Sequence, residues 1–227
     1  MNFFSRLAHR SAVATVLMAL LLGSAACQHS IQQPVWTPLF NGQDLAGWEH
    51  VGPGEFVVEE GLLKTVGGMG LLWYSGEQFG DIVIRVVYRN PGGANSGVFI
   101  RIPEKPTEPR MPIHRGYEVQ IDDRADEYHM TGVLYALTRA SVRPGRPDEW
   151  NTMEITLDQD RTVVVLNGVL VTDYREGDPV PSKEETRGGD RGPRPLIGYI
   201  GLQNHGDGDT VFFRDVSIRP LRQRAQY

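Results

Sequence analysis

The chain has 227 residues, 40% hydrophobic and 22% charged, enough to bury one good-sized core and too apolar for a disordered chain. Its 26 glycines and 15 prolines favour many turns between short strands over a helical bundle. A formal charge of −5 argues against a nucleic-acid partner, and one cysteine excludes an internal disulfide framework or a zinc site of several thiolates.

Residues 1–26 have the order of a secretory signal peptide. Arg6 and Arg10 come first, the uncharged stretch 11–26 follows, and Ser24-Ala25-Ala26 precede Cys27. The apolar run is short for a spanning helix. A cysteine at the cleavage point resembles the acylated cysteine of bacterial lipoproteins, with Ser24 where that motif prefers Leu. The chain is therefore expected to be exported, to the periplasm or cell envelope. It is either lipidated at Cys27 and membrane-bound only through that anchor, or soluble. Residues 27–38, polar and proline-bearing, read as a tether. One domain is expected over 39–221, with a tail at 222–227.

Period-2 segments dominate the domain. Residues 56–59 and 61–64 form a hairpin across a Glu-Gly turn. Strands are expected at 81–89, 96–102, 117–122, 132–137 and 151–158. The segments 161–166 and 169–174 pair through Asn167-Gly168, a strong hairpin signal. Strands at 197–203 and 211–218 close the chain. Ten to twelve strands with little helix give an all-β sandwich or barrel. Between them, 103–112 carries a proline every third residue and predicts a stiff, extended rim loop. The polar segment 176–195, rich in charges of both signs, predicts a long excursion. Gly67-Gly68-Met69-Gly70 lacks the lysine and helix of a phosphate loop and reads as a connector.

Alternation sorts the side chains by face. Tyr117, Val119 and Ile121 oppose Glu118, Gln120 and Asp122. Val98 and Ile100 oppose Asn95, Phe99 and Arg101. Leu202 opposes Gln203 and His205. If these strands share a sheet, they present an apolar face inward and a polar floor outward. Amides, a guanidinium and an aromatic ring suit a sugar, whose hydroxyls need fixed donors and acceptors and whose C–H faces stack on rings. The bland alternatives are an ordinary Glu118–Arg101 cross-strand pair and a loop role for His205. His114, His129 and His50 are weaker candidates. Asp122, Asp123 and Asp126 lack the spacing of a calcium loop.

Seven motifs in order resemble the 3-keto-disaccharide hydrolase domain family. They are Phe40-Asn41-Gly42-Gln43-Asp44-Leu45-Ala46-Gly47-Trp48, Asn95 to Arg101, Gly116 to Ile121, Thr131 to Tyr135, Trp150-Asn151 with Asn167-Gly168, Gly198 to Gly206, and Phe213 to Val216. The resemblance implies a concanavalin-like jelly roll of two antiparallel sheets, exported by bacteria and often lipidated. It implies cleavage of glycosides already oxidised at C3 by a partner sugar 3-dehydrogenase, with hydrolase and lyase outcomes both represented.

A C3 ketone acidifies the C2 proton, so a base can form an enolate that expels the C1 substituent; water can then add back. The site needs a base, an enolate stabiliser and an acid. His205 or Glu118 is the expected base and Arg101 the oxyanion partner. Asn95, Gln120, Asp122, Tyr135 and Gln203 would bind the sugar, and Phe99 or Trp150 would stack on it. No cofactor is required; a divalent metal on Glu118, Asp122 or His205 is compatible with the spacing but not demanded by it. The alternatives are a non-catalytic carbohydrate-binding module of the envelope and a purely structural envelope protein.

Overall fold

The computed structural model describes residues 35–221. The expected signal peptide, Cys27, most of the tether and the tail lie outside these residues. Among the described residues, no helix is long and apolar enough to cross a membrane.

The strands, in chain order, are β1 (Thr37–Pro38), β2 (Trp48–Val51), β3 (Glu55–Glu59), β4 (Leu62–Val66), β5 (Gly70–Tyr74), β6 (Ile82–Arg89), β7 (Ser96–Ile102), β8 (Tyr117–Ile121), β9 (Asn151–Asp158), β10 (Arg161–Leu166), β11 (Val169–Arg175), β12 (Tyr199–Asn204) and β13 (Phe212–Pro220). They form two antiparallel sheets. One is ordered β11-β10-β9-β6-β13-β4-β3, with β1 on β13; the other is ordered β2-β5-β12-β7-β8. This is the jelly-roll sandwich the sequence predicts. Both expected hairpins form, because Glu60-Gly61 and Asn167-Gly168 each place two residues at positive φ. That turn geometry matches the twist of the flanking strands.

The main core fills the space between the sheets. Ile84, Val86, Ile155 and Leu157 from the larger sheet meet Val98, Ile100, Val119 and Leu202 from the smaller one. A second cluster, Leu71, Trp73, Phe99, Ile102 and Met111, lies on the smaller sheet's other face. Strand β5 supplies both clusters, so Leu71, Leu72 and Trp73 are all buried. A strand covered on both faces does not alternate, which is why periodicity passes over it.

Several expectations need correction. The tether is shorter than 27–38, because Thr37 and Pro38 pair with Ile218 and Ser217 of β13. Trp36 already stacks under the guanidinium of Arg85, 4.3 Å from its carbon, and near that of Arg219. Residues 132–137 are not a strand. Gly132 and Ala136 adopt positive φ, and only Val119 and Leu134 bridge. The 103–112 segment is not extended throughout, since it runs into a short helix, α1 (Met111–Arg115). A second helix, α2 (Lys183–Thr186), is set into the 176–195 excursion by a capping box between Ser182 and Glu185.

Arg101 departs most from expectation. It adopts φ 54° at the point where the β7–β12 register shifts. Its side chain is 1% exposed and donates to the carbonyls of Pro195 (3.1 Å), Leu196 (3.2 Å) and Gln159 (2.6 Å). The guanidinium thus ties the bulged strand to two connecting segments, and the expected oxyanion role is withdrawn. Replacing Arg101 with Met strands these carbonyls. It is expected to lower stability in urea unfolding by about 2–4 kcal/mol, as for other buried charged donors.

Candidate functional site

The polar half of the smaller sheet's outer face is built from β7, β8 and β12. Glu118, Gln120 and Gln203 project from it, 4%, 2% and 3% exposed. Gly97 sits opposite Gln120 in register, and a Cβ there would lie 2.5 Å from Glu118 Oε1. The missing side chain is what gives the Glu118 carboxyl its place. Burial pushes that carboxyl up to about 8, against a hydrogen bond from Gln203 that favours the charged form. At neutral pH Glu118 is therefore a proton-bearing acid. Gln120 donates to Asn95 Oδ1 (3.2 Å). The Oε1 atoms of Gln120 and Gln203 are buried and have no partner among the described residues. Such atoms are acceptors in need of a donor, and sugar hydroxyls supply one.

His205 follows the end of β12. Its Nδ1–H donates to Asp209 Oδ2 (2.8 Å). Burial alone would raise Asp209. The backbone N–H of Asn95, together with His205 and Arg124, outweighs it and holds the carboxyl below its ordinary range. The ionised Asp209 accepts from Nδ1–H and so fixes the ring with Nε2 on the side away from it.

These residues line one cavity of about 260 Å³ with Asn95, Tyr135 and Met69. Arg110, Ile113 and His114 of the proline-rich segment form one wall. Arg187, Gly188 and Gly189, just after α2, form another. Tyr135 meets the His129 ring edge-on at 4.9 Å. Its phenol is raised by burial and then by the nearby Glu118 carboxyl. The size suits a small polar ligand.

Six expected residues meet here: Asn95, Glu118, Gln120, Tyr135, Gln203 and His205. Four do not line the cavity, and their expected site roles are corrected. Phe99 is fully buried in the second apolar cluster. Arg101 is held by backbone carbonyls. Trp150 packs between the guanidinium groups of Arg214 (4.6 Å) and Arg89 (5.4 Å). Asp122 accepts from the backbone N–H of Arg124 (2.9 Å), closing a turn. Among the described residues, no group of three or more His, Cys, Asp or Glu side chains is placed to hold a metal ion. Asp209, Arg110 and Arg187 went unnoticed. The acid four residues after His205 was the one legible signal; the arginines lie in loops that no periodicity places.

Over residues 35–219 the sequence matches the 3-keto-alpha-glucoside-1,2-lyase-like domain. No curated protein matches it. Two structures from Parabacteroides distasonis ATCC 8503, each named as a putative glycosyl hydrolase, share the fold. One has TM-score 0.67 at 22% identity, covering 82% of this chain and 94% of that one. The other has TM-score 0.66 at 24% identity, covering 82% and 100%. A carbohydrate-binding module from Bacillus subtilis aligns with TM-score 0.54 at 14% identity, over 76% and 95%.

Glu118 predicts a pH signature. Burial raises its folded pKa from the ordinary 4.5, so between about 4.5 and about 8 the folded chain keeps a proton that the unfolded chain has lost. Stability is fullest below this window, falls as pH rises through it, and is level above. Chemical denaturation across pH 4–9 is expected to show this slope in the parent and to lose it in Glu118→Gln.

Proposed function

The chain belongs to the 3-keto-alpha-glucoside-1,2-lyase-like domain family, and from that premise we propose that it cleaves 3-keto-glycosides by removing the C2 proton and eliminating the C1 substituent. The observation that carries this reading is a protonated, buried carboxyl sharing a small cavity with a carboxylate-oriented histidine.

Nε2 of His205 takes the proton from C2. The electrons of the C2–H bond pass toward the C3 oxygen and then form C1=C2 as the C1–O bond breaks. Glu118 gives its proton to the departing oxygen, so the aglycone leaves as an alcohol. The free Oε1 atoms of Gln120 and Gln203 accept from ring hydroxyls, and Asn95 and Tyr135 border the ring. Water adding across C1=C2 gives net hydrolysis; release before that gives the lyase product. A two-proton division of labour of this kind contributes 10²–10⁴-fold for each positioned group.

The substrate requires prior oxidation of a sugar hydroxyl at C3, so a sugar 3-dehydrogenase is the proposed partner upstream. The proposed location is the cell envelope, with the chain anchored through acylated Cys27. Radiolabelled fatty acid is expected to enter the parent and not Cys27→Ser.

Proton NMR in deuterated water with a 3-keto-glucoside is expected to show aglycone release with loss of the C2 proton signal. Glu118→Gln and His205→Ala should each slow release at least a hundredfold. Because Glu118 acts in its protonated form, kcat/KM should fall as pH rises through about 8. A rate that climbs through that pH would make Glu118 the base. Sugar binding without any release would support the non-catalytic carbohydrate-binding module instead.

A further inference from the structure

We propose that the cavity selects an anionic substrate, a 3-keto-glycoside bearing a carboxylate, sulfate or phosphate group that Arg110 and Arg187 bind. This rests on the reading of the cavity as a 3-keto-glycoside site and adds the charge of what enters it.

Most arginines elsewhere in the described structure are engaged. Arg161 pairs with Asp173, Arg194 donates to backbone carbonyls, and Arg214 stacks on Trp150. The side chains of Arg110 and Arg187 have no ion pair, hydrogen bond or ring contact among the described residues, yet both residues line the cavity. The one acid lining it is Glu118, which carries no charge at neutral pH. Two acids at the cavity's edge are already engaged. Asp190 holds Lys183 at 2.9 Å and lies 3.7 Å from His114, and Asp209 is shared by His205 and Arg124. Two guanidinium groups without a carboxylate partner on the cavity wall stand out in a chain of net charge −5. Guanidinium binds oxyanions through paired, charge-assisted hydrogen bonds.

Arg187 is also held in an unusual way. Its φ of 53° lies in the left-handed region, where a side chain is strained. The two glycines after it are pressed against their surroundings. A Cβ on Gly188 would lie 2.3 Å from that of Ala136, and one on Gly189 would lie 2.0 Å from the Ile113 carbonyl. The segment is thus clamped between the 132–137 stretch and the proline-rich wall, and it carries an arginine where glycine would be relaxed.

Calorimetry on the full chain would compare methyl glucoside with methyl glucuronide, glucose 6-sulfate, glucose 6-phosphate and 4-carboxyphenyl glucoside. At least one anionic sugar is expected to bind tenfold or more tightly than methyl glucoside at low salt, and the preferred one identifies the anion. Added salt should shrink the advantage. Arg110→Gln or Arg187→Gln should cut it about tenfold, while Arg143→Gln, outside the cavity, should leave it unchanged. Equal or weaker binding of every anionic sugar, no binding of any, or an advantage unaffected by both cavity variants would overturn the proposal. Release from a neutral 3-keto-glucoside with no anionic preference sinks this inference alone. An arginine-dependent preference without release from any 3-keto-glycoside sinks the chemistry and leaves an anionic-sugar binding site.

Discussion

A β-strand has two faces, and β7, β8 and β12 each commit one of them to the interior of the sandwich. Everything these strands can offer a ligand must lie on the other. That outer face is itself divided. Phe99, Trp73 and Ile102 make one half apolar and covered, and Glu118, Gln120 and Gln203 make the other polar and recessed. The carboxyl of Glu118 is buried beside that apolar half, with a single amide to favour its charge.

From that desolvation follows a separation of roles. A buried carboxyl that favours its proton and an imidazole oriented by an ionised Asp209 are two proton-carrying groups in contrasting surroundings within one cavity. Neither state is a property of the residue type; each comes from what surrounds it. Asp209 is stabilised by the Asn95 backbone and by Arg124. The His205 ring is thus oriented through the residue that precedes β7.

Most of the floor was legible as alternation. Glu118, Gln120, Gln203 and Asn95 lie where a period of two puts them. The failures are local and physical. Arg101 shares a parity with Phe99, but a left-handed residue at a register shift sends its side chain to backbone carbonyls. Phe99 has the expected parity and no exposure, because parity says which face a residue takes and not what covers it. Strand β5, buried on both faces, has no alternation to read. Trp150 was assigned by residue type alone, and two arginines outside the cavity claim its ring. Asp209 and the wall arginines sit in turns and excursions, where contacts close over distances that no local pattern encodes.

The cavity's floor and its walls come from different kinds of structure. The floor is strand backbone in a fixed register, shared with the core on its far side. The walls are two connecting segments, 103–115 and 176–195, that hang from strand ends. A change to the floor disturbs packing throughout the sandwich, whereas the walls can lengthen, shorten or exchange side chains with the sheet intact. Inheritance can therefore act on the two separately. The sheet that seats Glu118 is thus independent of the segments that decide what can enter above it.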